Sequence, residues 1–237
     1  MSDLNSHRLE ELDIVFEDGD RSARYPKANE FLSEGSHPFV NTKNIIDNQF
    51  KWDDVNFVSD KKFSEIRKGR VQPQDIVIAT RGSKLGKVAF YKADKWKQPI
   101  VNAQLLIIRC NDKRIYPKYL WYVLSSAEGK SQIESLKSGS AQPQLPVRDL
   151  KKFEIEYPGY EQQCHIVNAL DSLNDKVELN RQTNQTLENI AQAIFKSWFV
   201  DFEPTRAKIA AKQSGQNPER AAMAVLSGKS LEELDQL

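Results

Sequence analysis

Arg81, Gly82, Ser83, Lys84, Gly86 and Lys87 fall within the ten residues ATRGSKLGKV, a combination of glycines and cations suited to a phosphate. A nucleotide loop of the Walker type needs four residues between its glycines and then Gly-Lys-Ser/Thr, so that the backbone wraps the phosphates and the hydroxyl holds Mg²⁺. Here only Ser83, Lys84 and Leu85 separate Gly82 from Gly86, and Val88 stands where the hydroxyl belongs. The flanking runs DIVI and VAFY both read as strands, which removes the helix N-terminus that such loops use. ATP is therefore not the expected ligand. What remains is a glycine-pivoted turn carrying Arg81, Lys84 and Lys87, suited to holding an anion from outside; an ordinary hairpin with solvated charges is the competing account.

Other chemistries fail on their residue requirements. A methyltransferase needs a glycine-rich cofactor loop and an Asn/Asp-Pro-Pro-aromatic grip on a flipped base, and neither occurs. A nuclease needs clustered carboxylates and a lysine around Mg²⁺, whereas the acids here are scattered. His7, His37 and His165 have no partner at ligand or catalytic spacing, and Cys164 and His165, adjacent on a helix, cannot face one metal together. No catalytic residue, metal site or cofactor is expected: the chain binds rather than catalyses.

The elements that position the turn belong to an α+β fold. The short runs LDIVF, DIVIAT, KVAFY, PIVNAQLLIIR and KFEIEY read as strands separated by Gly and Pro. PKYLWYVLSS, with Pro117 in its first turn and an apolar face, reads as a helix. The 237 residues have room for one large domain plus an extension, and 39% apolar residues suffice for a core. Two cysteines give neither a disulfide framework nor a metal set, no signal peptide opens the chain and no apolar run reaches membrane length. The expectation is a cytoplasmic, soluble protein with no membrane partner.

Net charge is only +1, yet Lys61 to Lys97 carries eleven Lys/Arg, Arg67 and Lys68 among them, against three acids. That block of +8 in a nearly neutral chain points to a polyanion at one face; a solvated lysine-rich surface is the alternative.

After Tyr160 the pattern changes. Glu161 to Phe199 contains no Gly or Pro, and apolar residues alternate by three and four: Ile166, Leu170, Leu173, Val177, then Leu187, Ala191, Ile194, Trp198, with Asn180 and Asn184 between. This is a coiled-coil seam on one helix of roughly 60 Å, which calls for a partner helix. The expected division is a globular domain over 1–158, the long helix over 159–203 and a helical linker over 204–237.

The succession QPQDIVIATRGSKLGKV, IVNAQ, PKYLWYVLSS, SGSAQPQLPVRDLKKFEIEYPGYEQQCHIV and a helix ending IFKSWFVDFEP resembles the specificity subunit of type I restriction-modification systems, well from Gln72 to Pro204 and weakly before about Phe39. The resemblance implies a non-catalytic reader of double-stranded DNA: a target recognition domain followed by a spacer helix, the pair usually occurring twice per chain. The two domains read the halves of a split site and the two helices pack antiparallel. Modification subunits that methylate adenine dock on this scaffold, and through them a restriction subunit. With one domain and one helix, this sequence corresponds to a natural half-subunit or to the first half of a longer protein, reading a half-site.

The resemblance puts ATRGSKLGKV on the DNA backbone, with Arg81, Lys84 and Lys87 near phosphates and the Gly82 and Ser83 amides facing an anion. Base contacts are expected from Thr42, Lys43 and Asn44 in NTKNI, from Asn102 and Gln104, and from Ser140, Gln142 and Gln144 in GSAQPQL, since Asn and Gln match adenine in the major groove. Each also has a local alternative as a turn or cap residue. The seam residues are expected to pair in an antiparallel homodimer. A module without DNA, oligomerising a peptide- or sugar-binding domain through the helix, is the rival reading.

Overall fold

The protein was analysed as a computed structural model, which describes residues 4–82, 84–93, 96, 98–139 and 143–234, without the Leu231 side chain. Ser83, Ser140 and Gln142, three of the expected DNA contacts, lie outside the described residues. The chain forms two compact units, one ending at Leu170 and the other beginning at Asp171.

The first unit is mixed. Its strands are β1 (Asn5–Arg8), β2 (Ile14–Asp18), β3 (His37–Val40), β4 (Ile45–Ile46), β5 (Gln49–Phe50), β6 (Asn56–Val58), β7 (Ile76–Ala79), β8 (Val88–Phe90), β9 (Ile100–Val101), β10 (Leu105–Cys110) and β11 (Glu154–Tyr157). Its helices are α1 (Asp60–Glu65), α2 (Pro117–Ser125), α3 (Ala127–Ser135) and α4 (Val147–Leu150), and α5 (Tyr160–Phe195) begins within it. The second unit holds the rest of α5, a π-helical turn at Lys196–Val200, α6 (Glu203–Gln213), α7 (Pro218–Ser227) and α8 (Leu231–Leu234). The architecture is α+β.

The principal sheet has the order β2-β10-β7-β8, antiparallel throughout. Leu105, Leu106, Ile107 and Ile108 of β10 are all fully buried, because both faces of the sheet are covered and a strand covered on both faces is a continuous apolar run. The two-residue period sorts that run. Leu106 and Ile108 join Ile76, Ile78 and Val88 in one core, against Leu120, Trp121 and Leu124 of α2 and Ile133 of α3. Leu105 and Ile107 join Val77, Ala79 and Ala89 in the other, with Val40, Ile45, Tyr91 and Val101. A second sheet, β6-β3-β9, a pairing of β1 with β11 and a pairing of β4 with β5 complete the unit.

The run PIVNAQLLIIR, read as one strand, is two. The Asn102 side chain accepts the Gln104 amide at 3.0 Å and its carbonyl accepts the Leu105 amide at 3.1 Å, so the chain turns between β9 and β10.

Candidate nucleic-acid interface

The register of the principal sheet gathers the sequence's candidate loops at one end. Leu106 pairs with both Asp18 and Ile78, and Ile78 with Val88. The segment leaving β2, the one entering β10 and the turn joining β7 to β8 therefore emerge side by side. β3 ends there too, since β3 runs parallel to β9 and the Asn102 amide donates to the Val40 carbonyl at 2.8 Å. The 41–46 turn follows directly.

The β7–β8 turn is held by its own backbone: Gly86 N donates to Ala79 O and Ala79 N to Lys87 O, each at 2.8 Å. Gly82 and Gly86 have φ of 81° and 86°, left-handed values that a side chain would strain. Because β8 follows, the loop does not lead into a helix N-terminus. Arg81 and Lys84 are exposed, while Lys87 is half-buried and donates to the Ile45 carbonyl at 3.4 Å, tying this turn to the 41–46 turn.

Two further segments converge on Thr80 and Arg81. Thr80 N donates to Gln104 O at 2.9 Å and Leu145 N to Thr80 O at 3.0 Å, and Arg81 bridges Gln144, which also pairs with Ser138. The Gln104 side-chain amide nitrogen lies 3.8 Å from where a Cβ on Gly82 would stand. Gln104 and Gln144 are exposed, so two amides and the Arg81 guanidinium share one surface. Arg67 and Lys68 are exposed at the same end, where the neighbouring Gly69 carbonyl accepts the Val101 amide at 2.8 Å.

Two of the expected base contacts are buried in the fold. Asn44 is 3% exposed: its oxygen accepts the Asn41 amide at 3.1 Å and its nitrogen donates to Asp54 O at 2.9 Å, so both polar ends are spent inside the turn. Asn102 is 8% exposed and its oxygen is committed to Gln104. Both shape loops that carry the neighbours outward. Thr42 stays half-buried, and exposed Lys43 meets Asp54 at 2.5 Å, a surface pair weak enough to yield to a phosphate.

The described residues contain no group of three or more His, Cys, Asp or Glu able to hold a metal, and no helix among them is long and apolar enough to cross a membrane.

Comparison with known proteins decides the family. Residues 3–189 match the family model described as the type I restriction modification DNA specificity domain. The chain belongs to this family. The specificity domain is a non-catalytic member of its system. The chain is 33% identical over 228 residues to the type I restriction enzyme HindI specificity subunit of Haemophilus influenzae, covering 92% of this chain and 48% of that protein. The MjaIX specificity subunit of Methanocaldococcus jannaschii is 30% identical over 135 residues, 57% of this chain and 30% of that one. The chain thus spans about half the length of the Haemophilus relative. Its fold is similar to the crystal structure of the S subunit from M. genitalium, with TM-score 0.61 at 17% identity over 90% of this chain and 50% of that one. It is also similar to the HsdS subunit from Thermoanaerobacter tengcongensis, with TM-score 0.53 at 19% identity over 83% and 44%.

Two polar residues that composition did not single out hold the specificity domain in shape. Asp75, in the QPQDIV run, is 1% exposed and receives Arg109 through both oxygens at 2.9 and 2.7 Å, with the Gln72 amide at 2.7 Å. Gln163 of EQQ is fully buried at the start of α5. Its nitrogen donates to Arg114 O at 2.8 Å and Pro158 O at 2.9 Å, and its oxygen accepts the Tyr116 amide at 2.9 Å.

Along α5 the seam changes character. Ile166 and Leu170 are half-buried, whereas Leu173, Val177, Asn180, Asn184, Leu187, Ala191 and Ile194 are exposed, as is Trp198 in the π turn. Leu179, Ile190, Phe195 and Phe199, outside the seam as read, are also exposed. In the second unit α6 packs on α7, burying Ala211 and Ala222 and placing Lys208 2.7 Å from Glu219.

Proposed function

We propose that this chain reads one half of a bipartite DNA target for a type I restriction-modification complex, and that it scaffolds the modification subunits of that complex and, through them, the restriction subunit. The carrying observation is the convergence of Arg81, Gln104 and Gln144 at one sheet end, with Lys84, Lys87, Arg67 and Lys68 around them. In this reading the cations hold phosphates and fix the register, while Gln104 and Gln144 meet base edges. Thr42 and Lys43 flank them. Work in the cytoplasm follows from the same role.

Arg81→Ala and Lys87→Ala are expected to weaken binding to all duplex sequences alike and to reduce the salt slope by about one each. Fluorescence anisotropy with two unrelated duplexes checks this, and unchanged slopes in both variants would reject the assignment. The purified chain given S-adenosylmethionine and DNA should transfer no methyl group. With modification subunits added, a methylation map gives the target.

The exposed seam favours self-association when the chain is alone. In an antiparallel pair of identical helices Ile166 meets Trp198, Leu170 meets Ile194, Leu173 meets Ala191, Val177 meets Leu187 and Asn180 meets Asn184. Facing amides cost stability but penalise shifted registers, in which each would face an apolar residue. The resulting twofold dimer reads an inverted repeat with a fixed gap. Solution mass together with cross-linking of cysteines placed at 180 and 184, after Cys110 and Cys164 are replaced by serine, tests it. The expected product is a dimer linked 180-to-184; a monomer at micromolar concentration, or links between two 180 positions alone, would contradict it.

A further inference from the structure

One basic cleft at the same end of the sheet is lined by neither the turn nor the two glutamines. It has a volume of about 320 Å³ and is lined by Arg21, Arg24, Arg67 and Lys68 with Asp18 and Asp20. Arg21 and Arg24 lie outside the basic block visible in the sequence. They sit on the exposed loop leaving β2, while Arg67 and Lys68 come from the turn after α1.

The cleft is a built feature. Asp20 is 6% exposed, and its two oxygens accept the Ser22 amide at 2.7 Å and the Arg67 amide at 3.4 Å, joining the two segments. Glu17 accepts the Gly69 amide at 2.6 Å. Gly19 packs so closely on the Asn102 carbonyl that a Cβ there would collide with it. The cleft floor is therefore the same connection whose next turn presents Gln104. Among the described residues only one of the four cations is in an ion pair, Arg21 with Asp18 at 3.1 Å, and that pair is half-exposed. Asp20 keeps its charge while it accepts backbone amides, and the four cations outnumber the two carboxylates of Asp18 and Asp20, so the cleft keeps a surplus of positive charge open to solvent.

Its position gives that charge a use. β2 and β7 flank β10, and neighbouring strands are about 4.8 Å apart, so the loops leaving β2 and β7 are separated by roughly 10 Å. That span is comparable to the roughly 12 Å width of the DNA major groove. Gln104, from the β10 side, lies between them.

We propose that Arg21 and Arg24, with Arg67 and Lys68, form a second phosphodiester-binding cleft that holds the DNA backbone across the groove from the Arg81–Lys87 turn and so centres Gln104 over the base edges. This rests on the DNA-reading proposal above and adds to it a residue set and a geometry. The ligand is the phosphodiester of duplex DNA, not a free phosphate.

The test measures duplex binding by the full chain against salt concentration. An Arg21→Ala, Arg24→Ala variant should lose about two from the salt slope, because each phosphate contact contributes nearly one. Arg24→Lys should retain most of the slope, and combining the double variant with Arg81→Ala and Lys87→Ala should remove about four in all. Lys113→Ala, an exposed residue just beyond Cys110 at the opposite sheet end, serves as the control and should change nothing. Inorganic phosphate at matched ionic strength should compete no better than chloride. If the double variant keeps the wild-type slope while Arg81→Ala and Lys87→Ala lower theirs, the cleft is overturned and the DNA-reading proposal survives. A loss per charge at Lys113 equal to that at Arg24 would replace the cleft by a diffuse field, and specific competition by phosphate would make it a small-anion site; either overturns it. Absence of any salt-dependent binding by the wild-type chain would remove both proposals together.

Discussion

Arg109→Met is expected to lower the unfolding free energy of the first unit by about 3–5 kcal/mol, because it leaves a buried carboxylate without its counterion. Asp75 has almost no contact with water, and Arg109 supplies two of its hydrogen bonds. The guanidinium also reaches the Arg70 carbonyl at 3.2 Å and Glu17 at 3.7 Å, so its loss loosens several loops at once. The deficit carries a pH signature. Burial holds the Asp75 carboxyl above its usual range even against the bonds from Arg109 and the Gln72 amide, and removing the guanidinium raises it further. A carboxyl with a folded pKa above its unfolded one stabilises the fold below the unfolded pKa and loses that contribution as pH rises through the folded one. The variant's deficit should therefore grow from acidic to neutral pH. Urea denaturation near about pH 5 and about pH 8 checks it; an equal deficit at both would show that Asp75 is not the group left unpaired.

Gln163→Leu is the second large effect. The substitution keeps the volume but removes the bonds that Gln163 makes to the Tyr116 amide and to the carbonyls of Arg114 and Pro158, and a buried polar group that goes unsatisfied costs ~1–3 kcal/mol. Since small domains are stable by only about 5–15 kcal/mol, this is a substantial fraction. Gln163→Glu should be no better, because a carboxylate can accept from Tyr116 but would face two carbonyl oxygens. The expected readout is a lowered urea midpoint for both variants. A variant as stable as wild type would mean that the start of α5 is held by its apolar contacts, such as buried Val167, rather than by the amide.

These two residues show what the sequence conceals. β2, β7, β8, β10 and β11 were legible because each carries apolar residues in a run or an alternation, and α2 because Pro117 opens an apolar face, whereas β1, with the sequence NSHR, has no apolar residue to announce it. The long helix was legible because neither Gly nor Pro interrupts the sequence between Glu161 and Phe199. Asp75 and Gln163 gave no such signal: beside one local partner each, Asp75 meets Arg109 at 34 positions and Gln163 meets Tyr116 and Arg114 at 47 and 49, and no local pattern states those distances. The same limit explains Asn44 and Asn102. Composition marks an asparagine as a base-contact candidate, but only tertiary structure shows that its amide is consumed by backbone. Arg21 and Arg24 were hidden differently. They stand among acids in the sequence, and the sheet, by setting β2 beside β10, carries them to the basic end.

The claim that this sheet end faces DNA is tested most directly by hydrogen–deuterium exchange of the chain with and without duplex DNA at low salt. The account predicts slowed exchange at Ser22, Gly69, Thr80, Gly86, Gln104 and Gln144. It predicts no change at the other end of the same sheet, at Asp13, Asp75, Tyr91 and Asn111. Protection confined to that second group, or absent from both while DNA is bound, would contradict it.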